Sequence, residues 1–185
     1  IPQNIPVVRI VDPFMAKPMS HWVILSILSY TRDIYGYYHQ ENTKIYKPRK
    51  EIDFLSPKIG IYGIGAIGSV VLKDLYNLGF NVEGWSRTEK NIKNIFCNHG
   101  HNGFVKMLSN CNIHVCLLPL TKSTIHIFNK ETFALMKKNS CFINAGRGDQ
   151  VVEKDLLASC KSGHIANAIL DVYEEEPLPE NHPFW

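Results

Sequence analysis

Three glycines set between two apolar runs limit this chain's fold more than any other feature. Residues 58–88 read KIGIYGIGAIGSVVLKDLYNLGFNVEGWSRT. Ile59 to Tyr62 has the length and apolarity of a buried strand. Gly63, Gly65 and Gly68 follow at G-x-G-x-x-G spacing. Val70, Val71, Leu72, Leu75 and Leu78 then recur at helical intervals, and Gly79 closes them. A second apolar run, Phe80 to Trp85, ends in Ser86, Arg87 and Thr88. Strand, tight turn, helix and strand is the setting in which such glycines bind a dinucleotide. Gly63 permits the turn, Gly65 lets backbone N–H groups approach a pyrophosphate, and Gly68 lets the helix lie close to the strand. The helix N-terminus, at Ala66 and Ile67, turns its partial positive charge toward the phosphates. The plainer alternative is a glycine-rich turn without a ligand.

The end of the second strand bears on which dinucleotide is held. NAD sites place an acidic residue roughly 20 residues past the glycines, on the ribose 2′-hydroxyl. Here that place holds Ser86, Arg87 and Thr88, with Lys90 close behind and no carboxylate before Glu89. A guanidinium flanked by hydroxyls suits a 2′-phosphate. The expectation is NADP(H), with NAD(H) possible. Otherwise Arg87 stacks on the adenine or faces solvent.

The rest of the chain alternates helical and strand patterns. Residues 1–12 are short, apolar and flanked by proline, an extended lead-in or an edge strand. Residues 14–36 read as one helix with too wide an apolar face for full solvation, so part of it packs on the nucleotide domain and part on a partner subunit. Residues 37–57 read as an irregular aromatic and basic arm. Residues 89–103 read as a polar loop, and Phe104 to Leu108 as one or two helical turns. Strands are expected at Ile113–Leu118, Cys141–Asn144 and Ala166–Val172, and helices at 130–138 and Val152–Ser162. This pattern predicts an α/β fold, a doubly wound parallel sheet of the Rossmann type over 58–185. Residues 1–57 precede it as lead-in, long helix and dimerisation arm.

Composition excludes other classes. At 185 residues, 45 % hydrophobic and 20 % charged, the chain is long enough to bury a core. A net charge of +3 with mixed signs gives no electrostatic case for nucleic acid. No apolar stretch approaches the roughly 18 residues of a membrane span, and no signal-peptide pattern opens the chain. The five cysteines are odd in number and lack C-x-x-C spacing, which suits free thiols in a reducing cytoplasm better than disulfides or a metal.

Each expected strand end carries chemistry: the glycines, Ser86 with Arg87, Leu118-Pro119-Leu120-Thr121, Asn144 to Gly148, and Asp171 with Glu176-Pro177. All lie along one sheet edge and can face one crevice. Arg147, between two glycines, has backbone freedom, and its fork can hold a carboxylate through two hydrogen bonds. That suits a 2-oxo acid; otherwise it is an ordinary loop arginine. Glu176 is either a carboxylate that orients a catalytic histidine and raises its pKa or one member of a solvated acidic loop.

Taken together, these residues resemble the D-isomer-specific 2-hydroxyacid dehydrogenases, and within them the glyoxylate/hydroxypyruvate reductase A branch. The resemblance rests on GIGAIG at 63–68, WSRT at 85–88, LLPLT at 117–121, INAGRGDQVVEKDLL at 143–157 and LDVYEEEPLPENHPFW at 170–185. It implies that Arg147 binds substrate and that Glu176 pairs with the general acid. It implies that Leu118, Pro119, Leu120, Thr121, Ala145, Arg147 and Asp171 line the cofactor, and that residues 14–49 build a homodimer. The reaction implied is reduction of a small 2-oxo acid, glyoxylate or hydroxypyruvate, to its 2-hydroxy acid. One departure stands out. The family's general-acid histidine lies in a Pro-His pair, and this sequence has none. His182, in Asn-His-Pro, matches a loop position read as structural. The chain thus reads as the nucleotide domain of a longer reductase, with little turnover alone. Two alternatives remain: a nucleotide-sensing, corepressor-like module, and an NAD-dependent dehydrogenase of another small anion.

Overall fold

The computed structural model describes residues 14–49 and 57–185. The lead-in at 1–12 lies outside them, as do residues 50–56 of the arm. The chain runs α1 (Ala16–Thr31), α2 (Ile34–Thr43), β1 (Ile59–Tyr62), α3 (Ala66–Asn77), β2 (Val82–Ser86), β3 (Phe96–His99) and α4 (Gly100–Asn110). It continues with β4 (Ile113–Cys116), α5 (Lys130–Leu135), β5 (Ser140–Asn144), a single 3-10 turn at Gly148–Gln150, α6 (Glu153–Lys161) and β6 (Ile165–Leu170).

The six strands form one sheet in the order β3-β2-β1-β4-β5-β6, every pair parallel. The chain reverses its winding between β1 and β4, the point at which such sheets open a crevice at their carboxyl edge. Strand alternation sorts the core into two layers. Ile59, Ile61, Ile113, Val115 and Ile143 face Val71, Leu72 and Leu75 of α3. Tyr62, Cys116 and Phe142 face the other way, onto Phe104, Met107, Leu108, Phe128, Phe133 and Leu156.

The helices α4, α5 and α6 all serve that second face. The first face would be bare over β4 and β5 without α1, whose Val23 and Ile27 are fully buried in the same cluster as Cys141 and Ile143. Polar pins hold α1 in place. Lys17 Nζ and Ser20 Oγ donate to the Asp74 carboxylate of α3, at 2.8 and 2.7 Å, and Tyr30 Oη donates to Asn139 O at 2.9 Å. Buried Thr31 satisfies its hydroxyl within the helix, on Ile27 O.

Two expectations need correction. Residues 14–36 are not one helix, and 37–43 are not irregular: α1 stops at Thr31, Asp33 takes a left-handed φ of 51°, and α2 resumes at Ile34. Asp33 breaks the i→i−4 ladder there, and its carboxylate pairs with Arg49. Helix α2 buries no residue, so it shows no apolar stripe to read. Residues 89–103 are likewise not a loop throughout. They contain β3 and the first turn of α4, a helix of three turns. Gly100, with φ +65°, lets strand pass into helix with no intervening loop, and Trp85 Nε1 donates to its carbonyl at 2.8 Å.

All five cysteines are free. Among the described residues no helix is long and apolar enough to cross a membrane, and no cluster of three His, Cys, Asp or Glu is placed to hold a metal ion.

Candidate active site

The fingerprint turn is wedged between two strand ends. Gly63 N–H donates to Trp85 O at 2.8 Å, and Leu117 N–H donates to Tyr62 O at 2.8 Å. Gly63 has φ +110°, and a β-carbon on it would lie 2.6 Å from Leu117 O. A β-carbon on Gly68 would lie 1.9 Å from Gly63 O. The first and third glycines are therefore demanded by the protein itself. Gly65 differs: its β-carbon would meet nothing within 4 Å. The space it leaves opens at the first turn of α3, which no side chain caps. A cradle of free backbone N–H groups at a helix start, with room for a phosphate, is what a dinucleotide needs.

Ser86 ends β2, and its hydroxyl donates to Thr88 O at 2.6 Å, curling the chain so that Arg87 and Thr88 stand exposed. At the end of β4, Leu118 is buried while Pro119, Leu120 and Thr121 are exposed. Thr124 pins that corner, donating to Pro119 O at 2.7 Å and accepting from Thr121 N–H at 2.8 Å.

The end of β5 carries the Arg147 loop. Ala145 N–H donates to Cys116 O at 3.1 Å, which keeps the loop against β4. Gly146 N–H donates to Asn144 Oδ1 at 3.0 Å, and Asn144 Nδ2 donates to Arg147 O at 3.1 Å. The Arg147 side chain is exposed, with Nη1 resting on Gly146 O at 2.7 Å and its remaining N–H donors without a hydrogen-bond partner among the described residues. Asp171, exposed past β6, extends the ladder by donating its N–H to Asn144 O at 2.9 Å.

Glu176 lies in the loop after β6. Its Oε1 accepts from Tyr173 N–H at 3.0 Å. That loop is locked to the Arg147 loop, because a β-carbon on Gly148 would lie 1.9 Å from the Tyr173 backbone. Among the described residues no ion pair joins Arg147 to Glu176. His182 sits apart from Arg147: its Nε2 is 3.2 Å from Glu153 Oε2 and its ring packs on Phe184. Glu153 also accepts from Glu174 N–H at 3.0 Å, so it holds both ends of the acidic loop.

One residue at this edge escaped the sequence reading. Gln150 is fully buried and spans the ends of β4 and β5. The only sequence signal was a polar residue placed before two valines.

Comparison with known proteins identifies the family. Residues 24–185 match the family described as D-isomer specific 2-hydroxyacid dehydrogenase, NAD binding domain. The chain belongs to the D-isomer-specific 2-hydroxyacid dehydrogenases. It is 36 % identical to a glyoxylate/hydroxypyruvate reductase A of Yersinia enterocolitica and 37 % identical to that of Photorhabdus laumondii, over its whole length in both cases. It spans 59 % of the length of each of these relatives. A D-2-hydroxyacid dehydrogenase of Xanthobacter autotrophicus, solved with NADPH and MES, superposes with a TM-score of 0.94 at 36 % identity, over 98 % of this chain and 75 % of that one. An NADPH-dependent glyoxylate/hydroxypyruvate reductase of Sinorhizobium meliloti, solved with NADP and sulfate, gives 0.94 at 34 % identity, over 100 % of this chain and 60 % of that one. The family match begins at Ile24, inside α1, and so takes in the second half of that helix.

Proposed function

We propose that this chain is the cofactor-binding part of a reductase of small 2-oxo acids, glyoxylate and hydroxypyruvate, with NADP(H) as the preferred dinucleotide. The observation that carries the reading is the pairing of an open phosphate cradle at Gly65 with an exposed guanidinium at Arg147 on the same sheet edge. The bound reduced cofactor supplies the hydride. Gly63, Gly65, Ala66, Ile67 and Gly68 hold its diphosphate. Ser86, Arg87 and Thr88 take the 2′-phosphate, where a carboxylate would be repelled. Leu118, Pro119, Thr121, Ala145 and Asp171 flank the nicotinamide end.

Arg147 binds the substrate carboxylate through its fork and draws charge toward the developing alkoxide. Glu176, held by Tyr173 N–H, steadies a protonated histidine that donates the proton. That histidine is proposed to lie in the part of the relatives' length that this chain does not span. His182 is committed to Glu153 and is not the donor.

A second copy of the chain is the proposed partner of α1 and α2. Leu25, Tyr35 and Tyr38 are more than half exposed on these helices, and Leu28 and Ile34 are about two-fifths exposed. An apolar surface of this kind marks an interface.

The test uses the whole protein that contains this chain. NADPH consumption with glyoxylate or hydroxypyruvate is expected, with NADH a poorer cofactor. Arg147→Ala is expected to lower kcat/KM about a hundredfold or more, since two charge-assisted hydrogen bonds are lost. Cofactor binding without any 2-oxo acid reduction would overturn the reading and favour a nucleotide sensor.

A further inference from the structure

We propose that Gln150 is a positioning residue for Arg147, its side-chain amide holding the base of the arginine loop against the end of β4. The inference rests on the reading of Arg147 as the substrate-binding arginine.

Gln150 Oε1 accepts from Arg147 N–H at 2.9 Å and from Cys116 Sγ at 3.1 Å. Its Nε2 donates to Leu118 O at 2.8 Å. A side-chain amide offers donor and acceptor on one planar group; a carboxylate lacks the donor, and a thioether or aliphatic chain supplies neither in useful strength. The thiol plays its part as a neutral donor, since burial pushes Cys116 up to about 12.

The backbone completes the clamp. Arg147 O accepts from Asn144 Nδ2 at 3.1 Å and from Gln150 N–H at 3.3 Å. Both polar backbone groups of Arg147 are thereby fixed, while its side chain stays exposed. Gly146 fits the same device, because a β-carbon there would lie 2.3 Å from Gln150 Oε1. The result is a rigid base bearing a free guanidinium, the arrangement that keeps a carboxylate clamp in register.

Loss of the amide falls unequally on the two strand ends. The β4 corner keeps the ties from Leu117 to Tyr62 and from Thr124 to Pro119. Leu118 O loses one donor but its corner stays pinned, whereas Arg147 N–H is left unpaired. Gln150 therefore governs substrate affinity far more than cofactor affinity.

The experiment compares Q150M with wild type in the whole protein, by amide hydrogen exchange and by steady-state kinetics. Exchange at Arg147 N–H is expected to be about tenfold faster or more, with Leu117 N–H unchanged. KM for glyoxylate is expected to rise about tenfold, with kcat and the NADPH Kd within about twofold. Unchanged protection at Arg147, or a parallel loss in substrate affinity, cofactor affinity and melting temperature, overturns the proposal. If wild type reduces no 2-oxo acid, the proposed function fails, and exchange at Arg147 alone decides for or against the clamp. If Q150M does not fold, Q150N replaces it. Its amide is one methylene shorter and cannot span both strand ends, so exchange at Arg147 N–H is again expected to be about tenfold faster; unchanged protection overturns the clamp.

Discussion

The carbonyl oxygen of Gly63 stands where a β-carbon on Gly68 would need to be, the two lying 1.9 Å apart. Gly65, between them in sequence, faces open space. The glycines therefore separate by mutation. Gly68→Ala is expected to destabilise the fold by about 1–3 kcal/mol, because backbone must shift to admit the methyl group. Gly65→Ala is expected to leave the melting temperature within about 2 °C while lowering NADPH affinity about tenfold or more. Thermal melts and cofactor titrations of the two variants check this pair of outcomes, and a shared stability loss would contradict it.

Arg87 is exposed just past β2, on a curl set by Ser86. In the proposed site, removing it takes a charge-assisted contact from the 2′-phosphate and nothing from a 2′-hydroxyl. Arg87→Ala is expected to weaken NADPH about 10- to 100-fold and leave NADH within about twofold. Kd values for both cofactors, taken at fixed salt, decide it.

Helix α1 is built into the core ahead of the first strand. Ile27 is fully buried among Cys141, Ile143 and Val115. Ile27→Ala is expected to cost about 2–5 kcal/mol. Leu25→Ala, on the exposed side of the same helix, is expected to change monomer stability by less than about 0.5 kcal/mol. Denaturant unfolding measures the first. Sedimentation separates the second, since a variant that weakens self-association would place Leu25 in the subunit contact.

His114 is fully buried on β4, with Nδ1 2.9 Å from Tyr62 Oη and Nε2 without a partner among the described residues. Burial, aided by Lys137, pulls it down to about 3. The unfolded chain thus takes up this proton near the usual 6.5 and the folded chain does not. Stability from this group is complete above about pH 6.5 and falls by about 1.4 kcal/mol per pH unit as pH drops toward 3. Urea midpoints between pH 7 and pH 4 should follow that slope in wild type and flatten in His114→Gln. Parallel slopes in the two proteins would rule the group out.

How much of this could be read in the sequence depends on what each segment buries. The β1–α3–β2 unit announced itself, because its apolar residues and its glycines answer to one geometry. Strand β3 did not. It is a four-residue edge strand whose only buried residue is Asn98 and whose Phe96 is 60 % exposed, so no alternation marks it. Helix α2 buries nothing and was equally silent. At the site, Gly-Arg-Gly made the Arg147 loop visible. The hydrogen bond from Tyr173 N–H to Glu176 and the reach of Gln150 to Leu118 depend on strand register and loop path. Neither is set by spacing along the chain.

The Tyr173 peptide fills the room a side chain would take at Gly148. The arginine-bearing and glutamate-bearing turns consequently fit as tooth and notch, a fit that neither ionic strength nor acidity can loosen. Buffer conditions are expected to change how tightly Arg147 holds the proposed anion, while the two turns keep their places relative to each other.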